Sequence, residues 1–232
     1  MSSKERHERE REAMHRAILD AARELFVHEG YRNVSIRKIA ERIEYSPGAI
    51  YSYFPGKDDI FFALAEEGFR LLSESLAHVA EGVDDPLEVL RHGFWHYYEF
   101  SKLHPEYYEL MFVDRTVPQI SDEWERFGFV AELLQRASAS IRRCVERGIF
   151  PPETVPDTAF HVLWTAVHGV AVVRLCNRMG PGEDADSLAH DTIETVLAGM
   201  RAGVKATFRP SADCCPAAAA VPGNHGVIDE QS

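Results

Sequence analysis

The spacing of apolar residues predicts a chain built from helices. Apolar positions recur three and four residues apart over the first 208 residues, and no run of alternating apolar and polar residues predicts a strand. Gly, Pro and short polar clusters separate the periodic segments. The pattern predicts helices over residues 8–29, 57–81, 86–103, 105–114, 120–147, 155–178 and 185–208, with two short helices between residues 35 and 54. The predicted fold class is all-α.

The two short helices have the pattern of a helix-turn-helix. Ser35 is a good N-cap for the first, and its buried stripe consists of Ile36, Ile39, Ala40 and Ile43. Ser46 and Pro47 fix the start of the second, in which Ile50 and Phe54 face inward. Its outer side carries no long aliphatic chain. Such a surface is typical of a helix that enters a DNA groove, although a core hairpin of helices with a solvated basic edge is the alternative.

An ordered set of residues extends this pattern on both sides: Ile18-Leu19-Asp20-Ala21-Ala22, Leu25-Phe26, Gly30-Tyr31, Val34-Ser35-Ile36, Ile39-Ala40, Ser46 to Phe54 and Lys57. Through them, residues 11–72 resemble the N-terminal DNA-binding domain of TetR-family transcription regulators. Glu44 departs from the family, which usually has glycine in the turn. A residue other than glycine at φ > 0 would cost roughly 1 kcal/mol or more.

The motif predicts a DNA-binding face. Pro47, Ala49 and Ser52 are expected at base edges, and Arg37 is the candidate for a guanine contact. Tyr51, Tyr53 and Lys57 are expected at phosphates. The complete predicted face is Ser35, Arg37, Lys38, Ser46, Pro47, Gly48, Ala49, Tyr51, Ser52, Tyr53 and Lys57.

Charge alone argues against nucleic acid. The chain has a formal net charge of −12, yet residues 1–59 hold eleven Lys/Arg and eleven Asp/Glu, so the excess lies in residues 60–232. An acidic protein repels DNA at long range. Binding is therefore expected to depend on a local basic face, together with an Arg-rich arm over residues 1–10. The residues of that basic face are Arg32, Arg37, Lys38, Arg42 and Lys57.

Residues 73–208 are predicted to form a larger helical domain that binds an effector and dimerises. It is rich in aromatic residues, which either fill its core or line an apolar pocket between helices. The predicted ligand-binding residues are Phe94, Tyr98, Met111, Phe112, Trp124, Phe127, Trp164 and His168. The last two belong to a segment that resembles the Trp-xxx-His-Gly signature of one TetR subgroup. For His168 itself, a satisfied core histidine is the favoured interpretation over a ligand contact.

Other reactive residues give weaker signals. His92, His96 and Glu99 have a spacing that could serve one metal ion, but a solvated or aromatic-packed face is the simpler interpretation. Cys214 and Cys215 lie in residues 209–232, an Ala/Pro/Gly-rich segment predicted to be a disordered tail. No cofactor or catalytic motif is found, and no uninterrupted apolar run is long enough for a membrane helix. A cytoplasmic protein that is not an enzyme is expected.

The last two helices carry more apolar surface than one domain core needs, and the resemblance implies that they form a homodimer interface. The alternative is that both are ordinary buried helices of a monomer. The residues concerned are Val162, Trp164, Thr165, Ala166, Val170, Val172, Val173, Ile193, Val196, Leu197, Met200 and Val204. The predicted function is an operator-binding repressor that a small apolar or aromatic effector releases, with the helix from Lys57 as the lever. The alternatives are an activator, a metal or redox sensor, and a metal-dependent enzyme.

Overall fold

A computed structural model describes residues 3–120, 126–203 and 206–208, and within these ranges the chain forms helices and no strand. The all-α prediction is confirmed. The helices are α1 (Ser3–Glu29), α2 (Ile36–Arg42), α3 (Pro47–Tyr51), α4 (Lys57–Ala77), α5 (Pro86–Leu103), α6 (Pro105–Phe112), α7 (Gly128–Glu146), α8 (Pro156–Leu175) and α9 (Ala185–Ala202), with a short 3₁₀ turn over Tyr31–Asn33.

The N-terminal head consists of α1, α2, α3 and the start of α4. Ile18, Ile39 and Ile50 are fully buried where these helices meet. The rings of Phe26, Tyr31 and Phe61 pack edge to face beside them, with centroids 5.0 and 5.9 Å apart. This core holds α2 and α3 in a fixed relation, so the outer side of α3 is a rigid surface.

The C-terminal part consists of α5 to α9. α8 and α9 pack side by side, and α5 contacts α7, α8 and α9. α4 contacts α1 in the head and also α5, α6 and α7, so it connects the two parts of the molecule. α8 is the one helix of the described residues that could cross a membrane by length and composition, but its contacts with α5, α7 and α9 are those of a core helix.

Several predicted helix ends were wrong. α9 ends at Ala202 instead of residue 208, because Gly203 takes a left-handed conformation with φ 82° and closes the helix. α7 begins at Gly128 instead of residue 120, and α4 ends at Ala77 instead of residue 81. α1 begins at Ser3, so residues 3–10 of the predicted arm belong to a helix. Pairs such as Arg6 with Glu10, 3.6 Å apart, favour helix there. Trp124 and the predicted tail lie outside the described residues.

Candidate DNA-binding face and effector core

The helix-turn-helix begins each of its helices with a serine cap. Ser35 Oγ accepts a hydrogen bond from the backbone N–H of Lys38 at 3.3 Å, and Ser46 Oγ accepts one from Ala49 at 3.3 Å. Pro47 occupies the first position of α3, where its missing N–H costs nothing. The predicted caps are confirmed, and they set where α3 starts relative to α2.

Glu44 closes α2 in a left-handed conformation, with φ 60°. The N–H of Tyr45 donates to Ala40 O at 2.9 Å and the N–H of Glu44 to Glu41 O at 3.3 Å, which is the Schellman pattern of a helix end. The turn therefore keeps the geometry that glycine would favour, and a glutamate side chain occupies the strained position. The departure noted in the sequence leaves the turn intact.

α3 presents a low, open surface. Ile50 and Phe54 point into the core as predicted, while Pro47, Gly48 and Ser52 are exposed and Tyr51 is 56% exposed. The α-helical part is shorter than predicted, because it ends at Tyr51. The N–H groups of Tyr53 and Phe54 both donate to Ile50 O, at 2.9 and 3.0 Å, and add one further turn.

The basic side chains around α2 are paired with carboxylates of the same domain. Arg37 contacts Glu41 at 2.8 Å, Arg42 contacts Glu24 at 2.6 Å, and Lys38 pairs with Glu29. These pairs are exposed, with 81% of the Arg37 side chain accessible, so each contributes little to stability. A phosphate or base can therefore compete for these three cations, each of which has a carboxylate beside it.

Lys57 lies at the start of α4 and points back into the head. Its ammonium donates to Tyr31 O at 2.8 Å and Val34 O at 3.0 Å, and it lies 4.0 Å from the centroid of the Tyr31 ring. Burial lowers the pKa of Lys57. The side chain therefore ties the 3₁₀ turn to α4, a structural role that its position in the motif did not reveal. One ammonium hydrogen stays available for another acceptor.

Four of the predicted ligand-binding residues fill separate parts of the core. Phe127 packs against Phe69 of α4 at 5.8 Å, and Phe94 packs against Phe160 of α8 at 6.0 Å. The Tyr98 hydroxyl donates to Asp186 at 2.8 Å, and Met111 packs on Gly68. In the single chain these four side chains make contacts between different helix pairs, and Phe69 links Phe127 to Phe112. A shared ligand site for the whole set stays a prediction.

Phe112, Trp164 and His168 do come together. The Trp164 and His168 rings stack, with centroids 5.3 Å apart and planes 23° apart, and Phe112 lies edge-on to His168 at 5.8 Å. The hydroxyls of Tyr97 and Tyr108 complete the group, which we call the effector core: Tyr97, Tyr108, Phe112, Trp164 and His168. Sequence reasoning missed both tyrosines, because nothing in the sequence relates their positions to His168.

A separate groove of about 780 Å³ lies between α8, α9 and the segment before α8. Val155, Val162, Val196 and Met200 give it an apolar lining, with Thr158 and Thr195 as polar groups. None of the predicted ligand-binding residues lines this groove. It adjoins the outer faces of the last two helices.

The weak metal signal is not supported by geometry. His92 lies 3.8 Å from Glu88, and His96 lies 3.4 Å from Glu99, so the two imidazoles have different carboxylate neighbours. In the part of the chain that the structure describes, no three His, Cys, Asp or Glu side chains are arranged to hold a metal ion.

The outer faces of α8 and α9 leave apolar side chains uncovered. Val162 is 41% exposed and Leu188 is 43% exposed, and a Cβ added to Gly169 would meet no atom within 4 Å. Three residues of the predicted interface point the other way, because they are buried in the core of the same chain: Val170, Ile193 and Leu197. Val204 lies outside the described residues.

Comparisons with known proteins agree with this architecture. Residues 18–64 match the family described as "Bacterial regulatory proteins, tetR family", and residues 90–196 match "Tetracyclin repressor-like, C-terminal domain". The HTH-type transcriptional repressor AcnR of Corynebacterium diphtheriae is 26% identical over 174 residues, which cover 74% of this chain and 83% of AcnR. The HTH-type transcriptional regulator HbdR of Aromatoleum sp. (strain CIB) is 36% identical over 80 residues, 34% of this chain but only 35% of HbdR.

The fold also matches solved structures. FadR from Bacillus subtilis, a transcriptional regulator solved in complex with stearoyl-CoA, superposes with a TM-score of 0.66 at 16% identity, and the match covers 79% of this chain and 97% of FadR. At this identity the likeness concerns the fold.

Proposed function

Because this chain belongs to the TetR family of bacterial transcriptional regulators, we propose that it binds operator DNA as a homodimer and represses transcription until a small apolar or aromatic effector releases it. The observation that carries the proposal is the open surface of α3, which has a fixed start and a rigid support. The protein acts in the cytoplasm, where its DNA is.

In the proposed complex, α3 of each subunit enters a major groove. Pro47, Ala49 and Ser52 are small enough for the helix to approach base edges closely, and exposed Tyr51 with half-buried Tyr53 reaches the phosphates. Arg37 leaves Glu41 to contact a guanine. The starts of α2 and α3, with Ser35, Lys38, Ser46 and Gly48, adjoin the backbone. Small side chains give modest direct readout, so DNA shape contributes to specificity.

The proposed dimer forms through α8 and α9. On α8, Val162, Gly169 and Val173 are exposed and lie along one side of the helix. On α9, Leu188 and Thr195 are exposed in a similar row. A second copy packed against these rows would remove apolar surface from water, which favours association. The two heads would then be spaced for half-sites one helical turn apart.

The proposed effector site is the effector core, where the rings of Tyr108, Phe112 and Trp164 surround His168. FadR from Bacillus subtilis, which shares the fold, was solved with a ligand that has a long apolar chain, and this supports an apolar effector here. Coupling of about 1 to 3 kcal/mol would change operator affinity by one to two orders of magnitude. α4 contacts both parts of the molecule and is the proposed lever.

Binding to intergenic DNA from the neighbourhood of the gene tests the proposal. Gel-shift titration at low salt should show one preferred fragment, and footprinting should show two protected half-sites. Replacing Arg37 by alanine should weaken the binding free energy for the specific fragment by about 1 to 3 kcal/mol relative to that for non-specific DNA. A monomeric protein with no preferred fragment would contradict the proposal, and a footprint upstream of the promoter would favour an activator.

A further inference from the structure

Two buried hydroxyls and one histidine nitrogen form a closed triangle in the effector core. The Tyr108 hydroxyl lies 2.6 Å from His168 Nδ1, the Tyr97 hydroxyl lies 3.1 Å from the same nitrogen, and the two hydroxyls are 3.1 Å apart. Tyr108 is fully buried and Tyr97 is 6% exposed. Any proton on these groups therefore has to find its acceptor inside the triangle.

Counting protons fixes the histidine tautomer. Each phenol carries one hydrogen that must be donated. If Nδ1 is unprotonated, Tyr97 donates to Tyr108 and Tyr108 donates to Nδ1, so both hydrogens have acceptors. If Nδ1 carries a hydrogen, three hydrogens share two oxygens, and one buried O–H has no acceptor among the described residues. That loss would cost roughly 1 to 3 kcal/mol. Nδ1 is therefore the acceptor, and the ring hydrogen lies on Nε2.

The resulting Nε2–H has no hydrogen-bond partner in the described part of the chain. His168 is half-buried, and its Nε2 atom is not fully enclosed by the protein. Solvent or a ligand can therefore reach it. Burial lowers the pKa of His168, and the ring is neutral near pH 7. Around this donor the surface is apolar, because Trp164 stacks on the ring and Phe112 meets it edge-on.

Arg174 is a charged side chain that acts on this cluster through Tyr108. Its guanidinium donates to Ser101 O at 2.6 Å. Burial raises the pKa of Tyr108, and the positive charge of Arg174 opposes that rise. The rings and hydroxyls of the effector core carry no positive charge that would attract an anionic ligand. The site therefore combines a neutral donor with flat apolar walls.

From this geometry we propose that His168 Nε2–H is the polar anchor of the effector site, and that the effector carries a carbonyl oxygen on an aromatic or apolar body. The inference rests on the proposed function and names the class of effector. The carbonyl accepts from Nε2–H, while its body stacks on Trp164. Tyr97 and Tyr108 hold the tautomer and orient the ring, and they do not contact the effector.

The tautomer is tested first, without any ligand. Nitrogen-15 NMR of histidine-labelled full-length protein at pH 7.5 distinguishes protonated from unprotonated ring nitrogens, and the signals of His168 are those missing from His168→Gln. The expected result is a protonated Nε2 and an unprotonated Nδ1. The opposite tautomer would overturn the inference, because the ring would then offer an acceptor.

The ligand class is tested with benzophenone and diphenylmethane, two compounds of similar shape that differ by a carbonyl in place of a methylene. Isothermal titration should show that benzophenone binds about two- to tenfold more tightly, which corresponds to one net hydrogen bond. His168→Phe should remove the preference, and His168→Gln, which keeps an N–H donor, should retain part of it. His161→Gln, a half-buried position on the same helix whose ring packs against Phe208 and not against the effector core, is the matched control and should not alter it.

Equal affinities for the two compounds, no binding of benzophenone, or a preference that survives in His168→Phe would each overturn the inference. Operator binding by the same variants without either compound separates this failure from that of the proposed function. If the protein binds its operator but does not discriminate the two compounds, the proposed function stands and the role of His168 as polar anchor is contradicted. If the protein binds no DNA, the proposed function itself is contradicted.

Discussion

Arg23 of α1 donates a hydrogen bond to the hydroxyl of Tyr107 in α6, across 2.7 Å. The same guanidinium lies 2.9 Å from Glu106 and 5.0 Å from the centroid of the Tyr107 ring. The next residue, Tyr108, meets His168 in the effector core. Two adjacent tyrosines of one short helix thus contact the DNA-binding head and the proposed effector site, so a shift of α6 would act on both.

Replacing Tyr107 by phenylalanine removes the hydroxyl that accepts from Arg23. We expect the free energy of unfolding to fall by about 1 kcal/mol, since a partly exposed donor loses one charge-assisted hydrogen bond. Urea denaturation measures the change. Tyr45→Phe is the control, because the Tyr45 side chain is exposed, and it should leave the stability unaltered. Equal stability of both variants and the parent would show that the contact contributes nothing.

Replacing Glu44 by glycine should stabilise the protein. A left-handed residue other than glycine costs roughly 1 to 2 kcal/mol of stability. Replacing it by glycine removes this cost but adds an entropic cost of roughly 0.5 to 1 kcal/mol, because glycine has more freedom in the unfolded chain. The expected net gain is about 0.5 to 1 kcal/mol, read from the urea midpoint. Glu41→Gly, inside α2, should instead destabilise by a similar amount. A loss of stability in Glu44→Gly would mean that the glutamate side chain makes an unrecognised contact.

The head could be predicted from sequence because local signals determine it. Ser35 and Ser46 are caps whose effect lies within three residues, and Ile50 and Phe54 belong to one helical face. Helix ends were less predictable where the last turn is closed by a single residue with a positive φ. Gly203 ends α9, yet the apolar period continues past it in the sequence, so periodicity alone placed the end six residues too late.

The effector core could be predicted only in part, since its geometry depends on contacts across the fold. Trp164 and His168 are four residues apart on one helix, and their proximity follows from the sequence. Tyr97 and Tyr108 lie 71 and 60 residues from His168, on different helices, so only the packing brings them together. The position of Lys57 in the motif predicted a phosphate contact. Its hydrogen bonds to Tyr31 O and Val34 O could be recognised only in the folded head.

The stability should depend on pH through His168. Burial lowers its pKa in the folded state below the ordinary value of 6.5, so the unfolded state binds the proton more readily. Stability from this group is therefore present above pH 6.5 and is lost as the pH falls below it. Between pH 7.5 and 5.5 the free energy of unfolding should fall more steeply in the parent than in His168→Phe. Parallel slopes would show that the imidazole has the same proton affinity in both states.

Lys57 is expected to affect both folding and DNA binding. In Lys57→Met the carbonyls of Tyr31 and Val34 lose the ammonium as a donor, and Tyr31 O keeps only the N–H of Val34, which should destabilise the head by about 1 to 3 kcal/mol. Affinity for all DNA sequences should also fall, and the dependence of log affinity on log salt should lose about one unit of slope. Lys38→Met is the control for stability, because its ion pair with Glu29 is exposed and contributes little. An unchanged salt slope in Lys57→Met would remove Lys57 from the phosphate contacts.

Gly169 gives the sharpest test of the proposed dimer. A Cβ built on it meets nothing within 4 Å in the single chain, so a large side chain is tolerated there by the fold of one subunit. In a dimer packed through α8, the same side chain would enter the interface, and overpacking costs roughly 1 to 3 kcal/mol. Gly169→Trp should therefore raise the dimer dissociation constant about tenfold or more while the circular dichroism spectrum is preserved.

Sedimentation velocity over a concentration series measures the shift. Gly128→Trp is the matched control, because Gly128 is also open in the single chain but lies at the start of α7, away from the proposed interface. Operator affinity should fall with the loss of dimer, since two heads joined at a fixed distance bind two half-sites together. If Gly169→Trp remained as dimeric as Gly128→Trp, the two copies would have to associate through a surface other than this side of α8.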